Sequence, residues 1–369
     1  MLKNYQFKNI NRILLFSVLL LIILGSTFIS IANPQLIAKQ ILGVILAFIT
    51  IAVVTLIDYS VFTQFAWILY VINLVLLIGV KLFGIESHGA TRWFSLGPLG
   101  TFQPSEFTKI ILIIFVANYL EKFDKKINET RTLLFLLGLC AIPVLLILIQ
   151  TDLSTSIAIC MILAVILFVG GISYRIIGRV CIVAIPLFVF FVWFIQQPFQ
   201  FILKDYQVNR IMSFINPSKY STTEAYQQNN SIMAIGSGRI FGKGLYTNSI
   251  TTVKDSKLVS EQQTDFIFSI IGEMTGFIGS IFIIAIIALI VVQCMKIASR
   301  AKDTEGKLIA IGVASLIAIQ SFINIGVATA ILPNTGLPLP FLSYGISSLL
   351  SNSIGIGLVL NISLQRRRY

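Results

Sequence analysis

Charge is scarce in this sequence. Asp, Glu, Lys and Arg make up only 11% of its 369 residues, and 56% are hydrophobic. A chain so poor in charge is not a pair of soluble domains, and its apolar runs repeatedly reach the roughly 18–20 residues that cross a bilayer. Histidine is nearly absent, and the single His88 is too isolated to indicate a metal site. The four cysteines, Cys140, Cys160, Cys181 and Cys294, lie within or at the ends of apolar runs and have no metal-ligand spacing. They read as small packing residues and not as a disulfide framework. Bases outnumber acids to give a net charge of +12, but they are spread over short loops between apolar runs. That pattern reports topology and excludes nucleic acid as a partner. No convincing internal repeat is present, which argues against a transporter built from inverted repeats.

What is present is the pattern of an all-α polytopic membrane protein forming a single integral domain over 1–369. About ten spans can be drawn, at 13–31, 41–57, 65–83, 105–120, 132–149, 154–171, 180–195, 266–292, 308–332 and 341–364. The first is long enough to be a retained helix and not a cleaved signal. Lys and Arg concentrate before the first span, at 122–131, 175–179 and 296–307, and at 366–368. These segments share one side of a ten-span chain, so both termini are expected in the cytoplasm. Four segments then face outward: 86–104, the turn around Asp152, the long loop 196–264 and the turn 333–340. The long loop alternates Gly, aromatic and polar residues with apolar pieces, which predicts amphipathic segments lying at the bilayer surface.

The few acids inside this apolar frame carry the chemistry. Asp265 ends a polar run where the eighth span begins, and Glu273 lies eight residues deeper in that span. Ionised acids within a bilayer cost about 2.5–3.5 kcal/mol on insertion scales and mark functional sites by default. Glu273, beside Gly272 and Gly276, also fits a helix–helix contact. Glu106 and Lys109 stand three apart at the start of the fourth span and share a helix face, with Pro104 and Ser105 as a helix-start signal. Asp152, followed by Ser154 and Thr155, fits a capping position. The topology brings Asp265, Asp152, Glu106 and Lys109 from separate helices to one outer membrane edge. Arg92, Arg210, Arg239 and Lys243 stand in outward loops, available to an anion. Acids for proton transfer beside bases for phosphate form the layout expected for an anionic, lipid-linked substrate. The stretch IGSGRIFGKG at 235–244 offers backbone N–H groups to a pyrophosphate, although it lacks the Walker A order.

The segments GATRWFSLGPLGTFQPSEFTK, QTDLST, NSIMAIGSGRIFGKG, SEQQTDFIFSIIGEMTGFIG and LPNTGLPLPFLSYGISSLLSN, in this order, resemble the signature stretches of the SEDS family. That family comprises the RodA-, FtsW- and SpoVE-type cell-wall polymerases, and the short termini lean towards its RodA, or elongation, branch. The chain departs from the family at Ile346, where a second glycine usually follows Ser-Tyr-Gly. The resemblance implies a peptidoglycan glycosyltransferase of the bacterial cytoplasmic membrane. Such an enzyme polymerises lipid II into glycan strands at the outer face, for elongation, cell shape or division. It matches Asp265 to the family's essential aspartate, Glu106 and Lys109 to its PSE-x-x-K motif, and Asp152 to its intramembrane aspartate. Ser343, in the Ser-Tyr-Gly segment, joins Arg92, Glu106, Lys109, Asp152, Arg210 and Lys243 as an expected substrate-binding residue.

Glycan extension needs a base for an acceptor hydroxyl, and Asp265 is the expected one. It also needs cationic relief of the leaving pyrophosphate, from Arg92, Arg210 and Lys109 or from a divalent cation such as Mg or Mn. Expected partners are a class B penicillin-binding protein transpeptidase and other elongation or division proteins. Two other classes compete: a lipid II flippase, and a non-catalytic scaffold of a wall-synthesis complex.

Overall fold

The computed structural model describes residues 9–87, 90–95, 97, 100–195, 197, 208, 212–214, 226–245 and 262–365. Arg210, His88, the basic residues 366–368 and most of the long loop lie outside them. In chain order the helices are α1 (Arg12–Ala32), α2 (Ile37–Leu56), the short α3 (Tyr59–Gln64), α4 (Ala66–Phe83), α5 (Pro104–Lys122) and α6 (Thr130–Ile149). They continue with α7 (Leu153–Val169), α8 (Tyr174–Ile195), α9 (Tyr226–Ser237), α10 (Ile267–Ala298), α11 (Thr304–Ala328) and α12 (Ile346–Leu364). Every apolar run of the sequence falls on a helix. Among the described residues, α1, α2, α4, α6, α10, α11 and α12 are long and apolar enough to cross a membrane. The protein is an all-α polytopic membrane protein.

Polar caps set several helix starts. Asn11 accepts from Leu14 N–H at 3.0 Å, Asp152 from Thr155 N–H at 3.2 Å and Asp303 from Gly306 N–H at 2.7 Å. Each satisfies one of the donors a helix start leaves unpaired. The last helix begins at Ile346, five residues after the hydropathy boundary, because the backbone over Pro333–Gly345 is spent on turns. Between α4 and α5 the chain adds a small antiparallel sheet in the order β1–β2–β3: β1 (Ile85–Ser87), β2 (Ala90–Ser95) and β3 (Thr101–Phe102). It gives rigidity to a stretch that reads only as a loop.

Helices α5, α11 and α12 form the buried centre. Their small residues let neighbours approach closely, the usual way membrane helices associate. A Cβ on Gly312 would meet Ile113 at 2.4 Å, and one on Gly357 would meet Val54 at 2.7 Å. Polar side chains on α12 face protein, not lipid: Asn361 donates to the Thr55 carbonyl at 2.8 Å and accepts from Tyr59 N–H at 3.0 Å.

The α9 segment of the long loop packs one face into the bundle, burying Gln228, Asn230, Ser231 and Ala234, and leaves Tyr226, Ile232 and Met233 exposed on the other. Gln228 donates to the carbonyls of Val327 and Leu332 at 3.0 and 2.8 Å, and Ser231 to that of Ala328 at 2.7 Å. The chain after α9 then enters a break in α10 at Gly276, whose φ of 65° and ψ of −162° interrupt the helix. Lys243 and Gly244 N–H donate to the carbonyls of Glu273 and Met274, both at 3.0 Å. Phe277 and Ile278 N–H donate back to Arg239 and Ile240 at 2.9 and 3.2 Å. The groups freed by the break are thus satisfied by main chain, as a low-dielectric setting requires. The approach is too close for side chains, since a Cβ on Gly242 would lie 2.1 Å from Met274 O and one on Gly276 2.4 Å from Gly242 N.

This splice engages both the backbone and the lysine of the glycine-rich stretch. The backbone donors of Lys243 and Gly244 serve α10 and do not form a pyrophosphate cradle. Lys243 is matched to Glu273, Nζ to Oε1 at 2.7 Å, with the carboxylate buried and the lysine side chain 24% exposed. Glu273 therefore anchors the loop. Lys243→Ala, which strands a buried acid, is expected to lower the melting temperature of the purified protein. The double change Lys243→Met with Glu273→Gln is expected to recover most of that loss, because replacing both ions removes the uncompensated charge. The substrate KM should stay at the wild-type value in both, and a raised KM in the folded double variant would return Lys243 to the substrate site.

Candidate functional site

The starts of α5, α7, α10 and α12 meet at one end of the bundle, around a cleft of about 480 Å³. Gln103 and Glu106 come from the start of α5, Asp152 and Thr155 from α7, Thr264 and Asp265 from just before α10, and Gly345 to Ser348 from α12. Arg92 and Trp93 of β2 and the turn Asn334–Pro338 close it. Convergent helix N-termini present partial positive charge and unpaired N–H donors, the usual setting for an anionic group. Three carboxylates in such a place demand an account of each.

Glu106 is paired. Its Oε2 lies 2.8 Å from Lys109 Nζ, one turn along α5, and both side chains are nearly fully buried. Pro104 at the first helical position starts that turn, so the spacing read from the sequence is realised as a salt bridge. Glu106 reaches the cleft wall, and Lys109 sits behind it. Asp152 caps α7 and also accepts from Gln103 Nε2 at 3.4 Å. Arg92 faces it at 3.8 Å while donating to the carbonyls of Gln150 and Thr151 at 3.3 and 2.6 Å. Thr151 has φ 64°, a left-handed turn that aims these carbonyls at the guanidinium. Arg92 thus ties the sheet to the α6–α7 turn and lines the cleft as well.

Asp265 is held differently. The backbone from Gln262 to Phe266 is not yet helical, so its carbonyls need outside donors. Three in succession receive them: Gln263 O from Tyr344 N–H at 2.8 Å, Thr264 O from Ser343 Oγ at 2.5 Å, and Asp265 O from Asn324 Nδ2 at 2.8 Å. Ser343 also accepts from Leu339 N–H at 2.8 Å. Its hydroxyl is therefore bound to backbone, beside the cleft lining and not in it. The Asp265 carboxylate lies against Gly336, where a Cβ would come within 3.1 Å of Oδ2. Burial raises the Tyr344 phenol above its ordinary value.

The structure thus gathers Arg92, Glu106, Asp152 and Asp265 around one cleft, with Lys109 directly behind. It places Lys243 and Ser343 in structural contacts. The sequence reading missed Gln103, Trp93, Asn334, Tyr344, Gln320 and Asn324. Trp93, Gln103, Asn334 and Tyr344 lie within the motif stretches as uncharged residues, where only the turn and helix-start signals around them mark the place, and Gln320 and Asn324 lie outside those stretches in α11. Among the described residues no three acids, histidines or thiols converge as a metal site.

These features define a many-helix membrane protein with an acid-lined cleft among helix starts. The family model for the cell cycle proteins FtsW, RodA and SpoVE matches residues 7–368, and the chain belongs to that family. It is 34% identical to peptidoglycan glycosyltransferase MrdB of Escherichia coli, over 89% of this chain and 86% of that one. It is 38% identical to the probable peptidoglycan glycosyltransferase FtsW of Trichlorobacter lovleyi, over 85% and 79%. Among solved structures it resembles a chain of a peptidoglycan synthase complex that coordinates polymerization and crosslinking, with TM-score 0.80, 26% identity and 98% of both chains covered. It also resembles the rod shape determining protein RodA of Thermus thermophilus, with TM-score 0.70, 25% identity, and 100% and 99% covered.

Proposed function

We infer that this protein is a peptidoglycan glycosyltransferase and that its substrate is lipid II, polymerised into glycan strands at the outer face of the bacterial cytoplasmic membrane. The observation that carries the reading is the meeting of four helix starts and Arg92 with Asp265 at one cleft. The first group suits a pyrophosphate and the second a proton acceptor.

In this reading the acceptor's 4-hydroxyl attacks the anomeric carbon of the donor as Asp265 takes the hydroxyl proton. The C–O bond to pyrophosphate breaks, and the departing charge is met by Arg92 and the convergent N–H groups. A single displacement inverts the anomeric centre and requires no covalent intermediate on the protein. Glu106, Lys109 and Asp152 shape the wall and hold its charges in place. A divalent cation such as Mg or Mn would add cationic relief of the same pyrophosphate. Arg210 is retained as a loop cation for the anion. A class B penicillin-binding protein, which would crosslink the strands, and other elongation or division proteins are the proposed partners.

Purified protein given lipid II in liposomes, with and without such a transpeptidase and with and without Mg or Mn, is expected to yield glycan ladders on gels. Absence of product under every condition, alongside lipid II movement across the same liposomes, would replace polymerisation with transport.

A further inference from the structure

We propose that Asn324 and Gln320, on one face of α11, are positioning residues that set Asp265 in register with the Glu106–Lys109 pair across the cleft. The proposal rests on the glycosyltransferase reading and concerns the geometry of that same site. Both amides are buried, each with 1% of its surface exposed. They stand four residues apart, so their side chains leave the same side of the helix. Asn324 Nδ2 donates to Asp265 O at 2.8 Å and to Leu337 O at 2.7 Å. One side chain thus binds the acid's own backbone to the turn that packs against its carboxylate through Gly336. Gln320 Nε2 donates to Pro338 O at 3.1 Å, and its Oε1 accepts from Lys109 Nζ at 3.3 Å.

Chemistry fixes these roles. Carbonyl oxygens only accept and an ammonium only donates, so Gln320, between Pro338 O and Lys109 Nζ, needs an amide with its nitrogen towards the turn. Asn324 turns its NH2 group to two carbonyls and leaves its own Oδ1 without a hydrogen-bond partner among the described residues. A hydroxyl reaches one carbonyl and not two, and a carboxylate offers nothing to a carbonyl. The result is a continuous line from Glu106 through Lys109, Gln320 and the 337–338 turn to Asn324 and Asp265. Both cleft walls are indexed to a single helix face. Ser343 and Tyr344 hold the two preceding carbonyls, so Asn324 is the last fastening before the acid.

A reactive group displaced by about 1 Å loses on the order of a hundredfold in rate. A positioning role therefore appears in kcat and leaves KM alone. The test compares wild type, Asn324→Ala, Asn324→Ser and Asp265→Ala in the lipid II polymerisation assay over a range of substrate concentrations, with melting curves recorded in the same detergent. Asn324→Ala is expected to lower kcat at least tenfold with KM within twofold of wild type. Asn324→Ser, which keeps one donor, is expected to recover at least threefold of that loss, and it carries the same comparison if the alanine variant does not fold. Loss of activity in Asp265→Ala together with a wild-type kcat in a folded Asn324 variant overturns the positioning role alone. A raised KM at unchanged kcat also overturns it, by making Asn324 a substrate contact. Full activity in Asp265→Ala removes Asp265 as the base and this proposal with it.

Discussion

Asp265→Asn is expected to reduce lipid II polymerisation by at least about a hundredfold, the lower end of what a positioned general base contributes, while the protein folds and melts as wild type. The amide keeps the size and planarity of the carboxylate, so its packing against Gly336 is preserved. The three successive carbonyl contacts at Gln263, Thr264 and Asp265 use backbone oxygen atoms and are indifferent to the change. What disappears is the capacity to accept a proton. Because Arg92 and the helix starts still face the pyrophosphate, KM is expected to remain within a few-fold of wild type. Gel analysis of glycan products, with fluorescent lipid II binding measured in parallel, separates the two quantities. An Asp265→Asn protein that makes glycan at the wild-type rate would dismiss Asp265 as the base.

Lys109→Met is expected to be the most damaging single change for stability, at about 3–5 kcal/mol, since it leaves Glu106 ionised and unmatched in a buried setting. Lys109 and Glu106 are 2% and 3% exposed, so water cannot replace the lost partner. Adding Glu106→Gln to Lys109→Met removes the stranded charge and is expected to restore most of the melting temperature. Activity should not return with it, because Gln320 loses its cationic partner and the cleft wall its charge pattern. Melting curves and polymerisation rates on the two variants read these effects independently. If the double variant regains both stability and activity, the pair serves the fold alone.

Hydropathy located every long apolar helix, because a run of apolar residues long enough to cross a bilayer is a strong signal, but it left the short α3 and the polar α9 in loops. It placed the start of α12 poorly, because the apolar residues of 341–345 belong to a turn held by Tyr344 N–H on Gln263 O and the Ser343 hydroxyl on Thr264 O, out of sight in a linear pattern. The cleft's ionisable residues were legible for a related reason. Glu106, Asp152 and Asp265 are costly in an apolar frame, and the topology alone brings them to one end. The partner of Lys243 is not legible in the sequence, where a lysine in a glycine-rich loop looks available to an anion. Glu273 reads in the sequence as a helix–helix contact, and only the break at Gly276 brings the two together. Gln320 and Asn324 escaped notice altogether. Neutral amides carry no charge to flag them, and within the polar-tolerant α11 they look like ordinary interior residues.

The splice between 239–244 and the break in α10 has a consequence for how this part of the chain varies. Main-chain hydrogen bonds do not read side chains, so apart from the Lys243–Glu273 pair the junction restricts its own sequence chiefly at the glycines, where bulk is forbidden. Ile240, Phe241 and Phe277 point away from it and are largely exposed. Their identities are left to be chosen by the surrounding lipid. A homologue in a membrane of different thickness or fluidity can exchange these residues freely and still keep the acid of α10 where it is.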